Sequence, residues 1–176
     1  MNVPRPLILA TMISLALITA TSVTNMPAHA FAQNQFSAVL NGSSVFPPVK
    51  TSATGKAVLN LVGNGQVMNY NISGTAAKGG ANVTNIIISH LTGGRGTTLL
   101  TLRSASQHGL GSVSKSGSLV GNFTSKDITG GGNILGFKTH DMPSLVKDIL
   151  SGNVYVKVTT VKFPLGEIAG KLKSGP

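Results

Sequence analysis

The 176-residue sequence has no cysteine, no tryptophan and only four acidic side chains. Without cysteine there can be no disulfide scaffold, no thiol catalysis, no blue-copper centre and no cysteine zinc site. The carboxylates are Asp127, Asp141, Asp148 and Glu167, so paired-carboxylate chemistry has few candidates. Tyr70 and Tyr155 are the only tyrosines, and past the N-terminus Arg95 and Arg103 are the only arginines. A nucleic-acid surface needs guanidinium forks and stacking rings, so specific nucleic-acid binding is not expected. Serines abound, but none sits in Gly-x-Ser-x-Gly with an acid and a base, and no phosphate-loop pattern occurs. The longest apolar run, Leu7 to Ala20, is broken by Thr11, Ser14 and Thr19. It is shorter than the roughly 18–20 apolar residues that span a bilayer.

That short run does match an export signal. Arg5 supplies a positive start, and Ala28-His29-Ala30 supplies small residues at the positions a signal peptidase reads. Ala30-Phe31-Ala32 offers a second cut two residues on, and an uncleaved anchor is the alternative. Residues 1–30 are therefore expected to be a signal peptide and residues 31–176 a single domain. At that size a chain buries about 68–70% of the surface it exposes when unfolded. The whole chain carries 14 Lys+Arg against 4 Asp+Glu, and removal of Arg5 leaves 13 against 4, or +9. The lysines are spread singly with no block of five, which argues against a specific polyanion site and leaves weak attraction to acidic glycans or an anionic envelope, with protection of strand edges. Four Asn-x-Ser/Thr sequons, at Asn41, Asn71, Asn82 and Asn122, are candidate glycosylation sites in an exported chain.

Residue parity governs the rest of the chain. Val154, Val156 and Val158 alternate with Tyr155, Lys157 and Thr159, the period of a strand with one buried face. Phe163-Pro164-Leu165-Gly166 turns the chain, and Glu167 to Leu172 resumes the alternation. There Ile168 and Leu172 are expected on one face, and Glu167, Ala169 and Lys171 on the other. The apolar faces of this terminal hairpin need a second sheet to cover them. Earlier strands are expected at Phe36–Leu40, from Gly55, at Met68–Ile72, Val83–Leu91, Thr97–Leu102 and Leu119–Thr124. Gly63-Asn64-Gly65 joins the second and third as a hairpin. Ile86-Ile87-Ile88 suggests burial on both faces. Ser104–Gly117 and Gly130-Gly131-Gly132 read as loops. One helix is expected, Met142–Ser151, with Asp141 as N-cap, Pro143 in the first turn and Gly152 at the stop. Its apolar stripe is Leu145, Val146, Ile149 and Leu150, and Asp148 is expected solvated or capping. About eight short antiparallel strands with one short helix before the last hairpin predict an all-β sandwich or barrel.

The chain resembles a chordin-type (CHRD) domain from about Phe36 to Lys173. The resemblance rests on Phe36-Ser37-Ala38-Val39-Leu40-Asn41-Gly42 with Pro47-Pro48-Val49-Lys50-Thr51 and Thr54-Gly55-Lys56-Ala57. It continues in the helix leading to Ser151-Gly152-Asn153, in Tyr155–Thr160, and in Pro164-Leu165-Gly166-Glu167-Ile168-Ala169-Gly170. It implies an immunoglobulin-like β-sandwich or barrel, akin to copper–zinc superoxide dismutases. In chordin such domains belong to an extracellular antagonist of growth factors; microbial members are typically exported.

The departures concern chemistry. The family's Ala-His-Ile-His motif is Ile86-Ile87-Ile88-Ser89 here, so Ile87 and Ser89 stand in the histidine positions. Thr159 replaces a further histidine, and Ala169 replaces an arginine. Metal ligation needs three or four converging ligands; His90, His140 and Asp141 are weak candidates, and His108 sits in an expected loop. No cofactor is expected. Glu167 is expected to bond backbone amides or a lysine. The leading expectation is a non-enzymatic, exported binding or structural module at the cell surface or in the extracellular space. Its partner would be an unknown surface protein or glycan, met by the Thr/Ser/Asn-rich outer face, with no membrane span after cleavage. The alternatives are a degenerate metal-binding, superoxide-dismutase-like module and a structural subunit assembling through edge strands.

Overall fold

A computed structural model of the protein describes residues 34–75, 82–92, 95–103, 116–130 and 141–175. The expected signal segment, His108, His140, residues 104–115 and Gly131-Gly132 lie outside the described residues.

Eight main strands form: β1 (Gln35–Asn41), β2 (Thr54–Val62), β3 (Val67–Thr75), β4 (Val83–Thr92), β5 (Arg95–Arg103), β6 (Ser116–Thr124), β7 (Val154–Thr160) and β8 (Ile168–Lys171). A two-residue strand, β9 (Lys173–Ser174), pairs with β1, and among the described residues one α-helix, α1 (Met142–Leu150), precedes β7. Ser116 and Gly117, read from sequence as loop, belong to β6 because they continue its pairing with Thr75 and Gly74.

All pairings are antiparallel, and the path is β5-β4-β7-β8-β1-β2-β3-β6. The all-β expectation therefore holds, with one difference. Among the described residues no separate second sheet covers the terminal hairpin; one sheet curls into a half-barrel and covers itself. The twist built into L-residue strands makes such curling the natural outcome for a sheet of this width. Alternate residues then meet in one interior. Phe36, Leu40, Leu59, Met68, Ile88, Leu99 and Leu172 are fully buried there together, although β3 and β4 lie far apart along the sheet.

The β2–β3 hairpin forms as the Gly63-Asn64-Gly65 signal predicts. All three residues have positive φ (59°, 54° and 82°), a region open to glycine and tolerated by asparagine. Ile86-Ile87-Ile88 is not buried on both faces: Ile86 and Ile88 are buried while Ile87 is half-buried. In an antiparallel sheet curled on itself, the inner face is dry and the outer face is covered only where another segment lies on it.

Helix α1 stops at Gly152, where φ is +73°. Asp141 occupies the N-cap position, but its carboxylate caps no backbone amide and instead accepts from the Ser144 hydroxyl. Met142, Leu145 and Ile149 bury the helix against the core, and Leu150, expected in the stripe, is exposed.

The seam between β1 and β8 is narrow. Asn41 pairs with Ala169, and a Cβ on Gly170 would lie 2.2 Å from the Val39 carbonyl oxygen. No side chain fits that gap.

Candidate functional site

Ile87, Ser89, Thr159 and Ala169 gather on the half of the sheet formed by β4, β7 and β8. On β4 and β7, Asn85 pairs with Thr159, Ile87 with Lys157 and Ser89 with Tyr155; on β8, Ala169 pairs with Lys157. Val154, Val156 and Val158 point into the core, so the alternate residues of β7 form the outer face. Ile87, Ser89, Thr159 and Ala169 thus share one outer patch. Ser89, Thr159 and Ala169 are nonetheless buried. For Ser89 and Ala169 the reason is the loop after β1, which opens with a 3-10 turn at Gly42–Ser44. Gly42 accepts from the Val49 N–H (2.9 Å), and Val45 and Phe46 lie against Ser89, Tyr155, Lys157 and Ala169 around a cavity of about 60 Å³.

Thr159 anchors the outer patch. Its hydroxyl lies 2.7 Å from the Thr84 hydroxyl and accepts from the Asn85 backbone N–H (3.0 Å) and side-chain amide (3.2 Å). A neutral hydroxyl network therefore stands beside a β4–β7 register shift between Val83 and Asn85.

The four carboxylates are all engaged. Asp127 Oδ2 accepts from the Thr124 N–H and hydroxyl (2.7 and 3.0 Å), closing a capping box. Asp141 takes the Ser144 hydroxyl. Asp148, expected solvated or capping, instead turns inward: its Oδ2 lies 3.2 Å from Nε2 of His90, which is only 6% exposed. That contact ties helix α1 to the end of β4.

Glu167 departs further from expectation. It sits just ahead of β8, where strand parity has not begun, so it faces inward rather than outward. It is 2% exposed and accepts from the Thr51 hydroxyl (2.8 Å), and among the described residues from no lysine or backbone amide. Thr51 in turn accepts from the Ala53 N–H (3.1 Å). Glu167 and Thr160 line an otherwise mostly aliphatic cavity of about 60 Å³ with Leu40, Ile86 and Ile168. Ligand pockets usually enclose about 300–1,000 Å³, so this space suits a few waters rather than a substrate.

Among the metal candidates, His90 meets Asp148 rather than Asp141, and His140 lies outside the described residues. Among the described residues no three His, Asp or Glu side chains come together as a metal site would require. Of the sequons, Asn71, Asn82 and Asn122 are exposed. Asn41 is half-buried, and its Oδ1 accepts from Ser43 Oγ (2.8 Å) and the Ser44 N–H (2.9 Å).

The CHRD domain family model matches residues 36–172. The chain belongs to the CHRD domain family. The match runs from Phe36 in β1 past the end of β8, so it takes in the helix and, but for Gln35, the eight main strands. No curated protein and no solved structure matches the chain. Within this CHRD domain, Ile87, Ser89, Thr159 and Ala169, where the resemblance implied histidines and an arginine, share that outer patch.

Sequence reasoning missed the Glu167–Thr51 and His90–Asp148 contacts. A signal for the second was present: Asp148 lies between Leu145 and Ile149 on the helix, at the border of the buried stripe.

Proposed function

We propose that this CHRD domain is an exported, non-enzymatic binding module that attaches to polyanionic material at the cell surface or in the extracellular space. One observation carries the reading: the basic side chains far outnumber the four carboxylates, and those carboxylates lie beside hydroxyls, a backbone amide or His90 rather than beside lysines. Among the described residues no lysine has a carboxylate partner, and the whole chain is +10. Such a surface attracts anions and is screened by salt. Catalysis has little to draw on, because the carboxylates meet hydroxyls or the buried His90 rather than converging in one cleft. Family membership agrees with a binding or structural role. The N-terminal signal pattern supplies the route out of the cell, and Asn71, Asn82 and Asn122 would be open to glycosylation where the host has that machinery.

Producing cells washed with rising salt should release the protein, with its N-terminus beginning just after Ala30 or Ala32. Recovery from the cytosol with Met1 intact would defeat the reading. Strand β6 supports a second reading, assembly through an edge. Among the described residues it pairs on one side only, with β3, and Val120 on it is 68% exposed. Light scattering at rising concentration tests it, and a strict monomer would remove it.

A further inference from the structure

We infer that two neighbouring loops, Val45–Lys50 and Val161–Gly166, form a contact edge that seats on an anionic lipid surface. The inference rests on the surface-binding reading and gives it a site. Phe46, Val161 and Leu165 are 69%, 68% and 75% exposed. Single exposed apolar residues are ordinary; Phe46 and Leu165 flank the point where two loops meet, with Val161 farther along the second loop, where its N–H donates to Asn82 O, and such a pair calls for a partner.

The loops adjoin at Val45 and Gly166. A Cβ built on Gly166 would lie 3.0 Å from Val45 Cγ1 and 3.1 Å from Lys157 Cδ. Phe46 and Leu165 are each one residue from that contact. Both loops are braced from within. The Val49 N–H donates to Gly42 O (2.9 Å), the Phe163 N–H to Thr160 O (3.1 Å), and the Gly166 N–H to Phe163 O (3.1 Å). The apolar side chains are therefore presented by a fixed frame.

Lysines flank them. Lys50 ends one loop, Lys162 lies in the other with Nζ 5.4 Å from the Phe163 ring centroid, and Lys157 lies beside Gly166. None has a carboxylate partner among the described residues. Apolar tips with neighbouring lysines match the boundary between acyl chains and anionic headgroups. A glycan is a poorer fit: Phe46 alone of the three offers an exposed ring face, and Leu165 and Val161 offer neither a ring face nor a hydrogen bond. A second copy of the chain would set lysine against lysine.

The absence of tryptophan makes a clean test possible. Leu165→Trp, at a 75% exposed position, introduces a sole indole. The mature chain released by its cells is mixed with phosphatidylcholine vesicles containing about 30% phosphatidylglycerol. The indole emission should shift to the blue and be quenched by brominated lipid, and salt should reverse both. Val39→Trp, on the outer face of β1 and equally exposed, should show neither change. Phe46→Ser with Leu165→Ser should weaken vesicle binding about tenfold or more. Vesicle binding without a shift at Leu165→Trp would overturn the loop assignment and leave the surface-binding reading standing. So would salt-sensitive binding to an acidic polysaccharide with none to vesicles. Binding to neither would remove both.

Discussion

The two halves of the curled sheet are built differently. In the half formed by β1, β2, β3 and β6, the registers run without a shift, from Gln35↔Asn60 through Thr75↔Ser116. Inner residues such as Leu59, Met68 and Phe123 alternate with outer ones such as Lys56, Asn69 and Val120. In the other half, β4 shifts register against both β5 and β7, a loop lies on the outer face, and a buried carboxylate sits at the strand start. Irregularity of this kind commonly accompanies sites where side chains are re-aimed. The regular half acts as a frame, and the irregular half holds the polar contacts.

The seam between the halves gives the sharpest way to break this comparison. Gly170→Val would place its Cβ at 2.2 Å from a backbone oxygen that cannot move without parting β1 from β8. Loss of about 4 kcal/mol or more, or no soluble folded protein, is expected, with urea unfolding as the measure. Wild-type stability would mean that the seam is looser than this close approach implies. Next, Leu59→Ala in the regular half and Ile88→Ala in the irregular half should each cost about 2–5 kcal/mol, because both are fully buried in one core. Each variant should unfold in a single transition; two transitions would make the halves independent units.

The polar contacts of the irregular half should couple more modestly. A double-mutant cycle of His90→Ala and Asp148→Ala is expected to return about 0.5–3 kcal/mol of interaction, and near zero would show that the helix is held by packing alone. Thr159→Val should cost about 1–3 kcal/mol, because the Thr84 and Asn85 side chains lose their shared partner.

The smallest effect belongs to the regular half and to alkaline pH. Tyr70 pairs with Gly121, and its ring fills the space above that glycine. Burial pushes the Tyr70 hydroxyl above its ordinary value of 10.0, since the phenolate would lose hydration. Its neutral form is favoured in the folded state. The associated stability is present below about pH 10 and is lost as the pH rises through the higher folded value. Tyr70→Phe should flatten that alkaline decline; an unchanged slope would mean that other groups set it.

How much could be read in advance divides along the same line. Phe36, Ala38 and Leu40, or Met68, Tyr70 and Ile72, declare their face because their strands are paired without interruption. Glu167 defeats the same rule because regular β8 begins one residue later, at Ile168. Asp148 was legible only as an acid at the edge of an apolar stripe. Its partner lies far back in the chain, on β4, and no local pattern encodes that distance. Thr51 and Glu167, 116 residues apart, meet for the same kind of reason. The surface patch of Phe46 and Leu165 arises because Val45 comes to rest on Gly166. Turn residues mark where each loop bends but not which loops adjoin.

The order of greasy and polar residues was enough to specify strands, one helix, an apolar core and a positive exterior, because these depend on neighbours within a few positions. Folding in space alone determined that the layers are one curled sheet and that every acid finds an internal partner. Curling brings together atoms from distant parts of the chain, and hydrogen bonds, ion pairs and exposed patches are made only where those atoms meet.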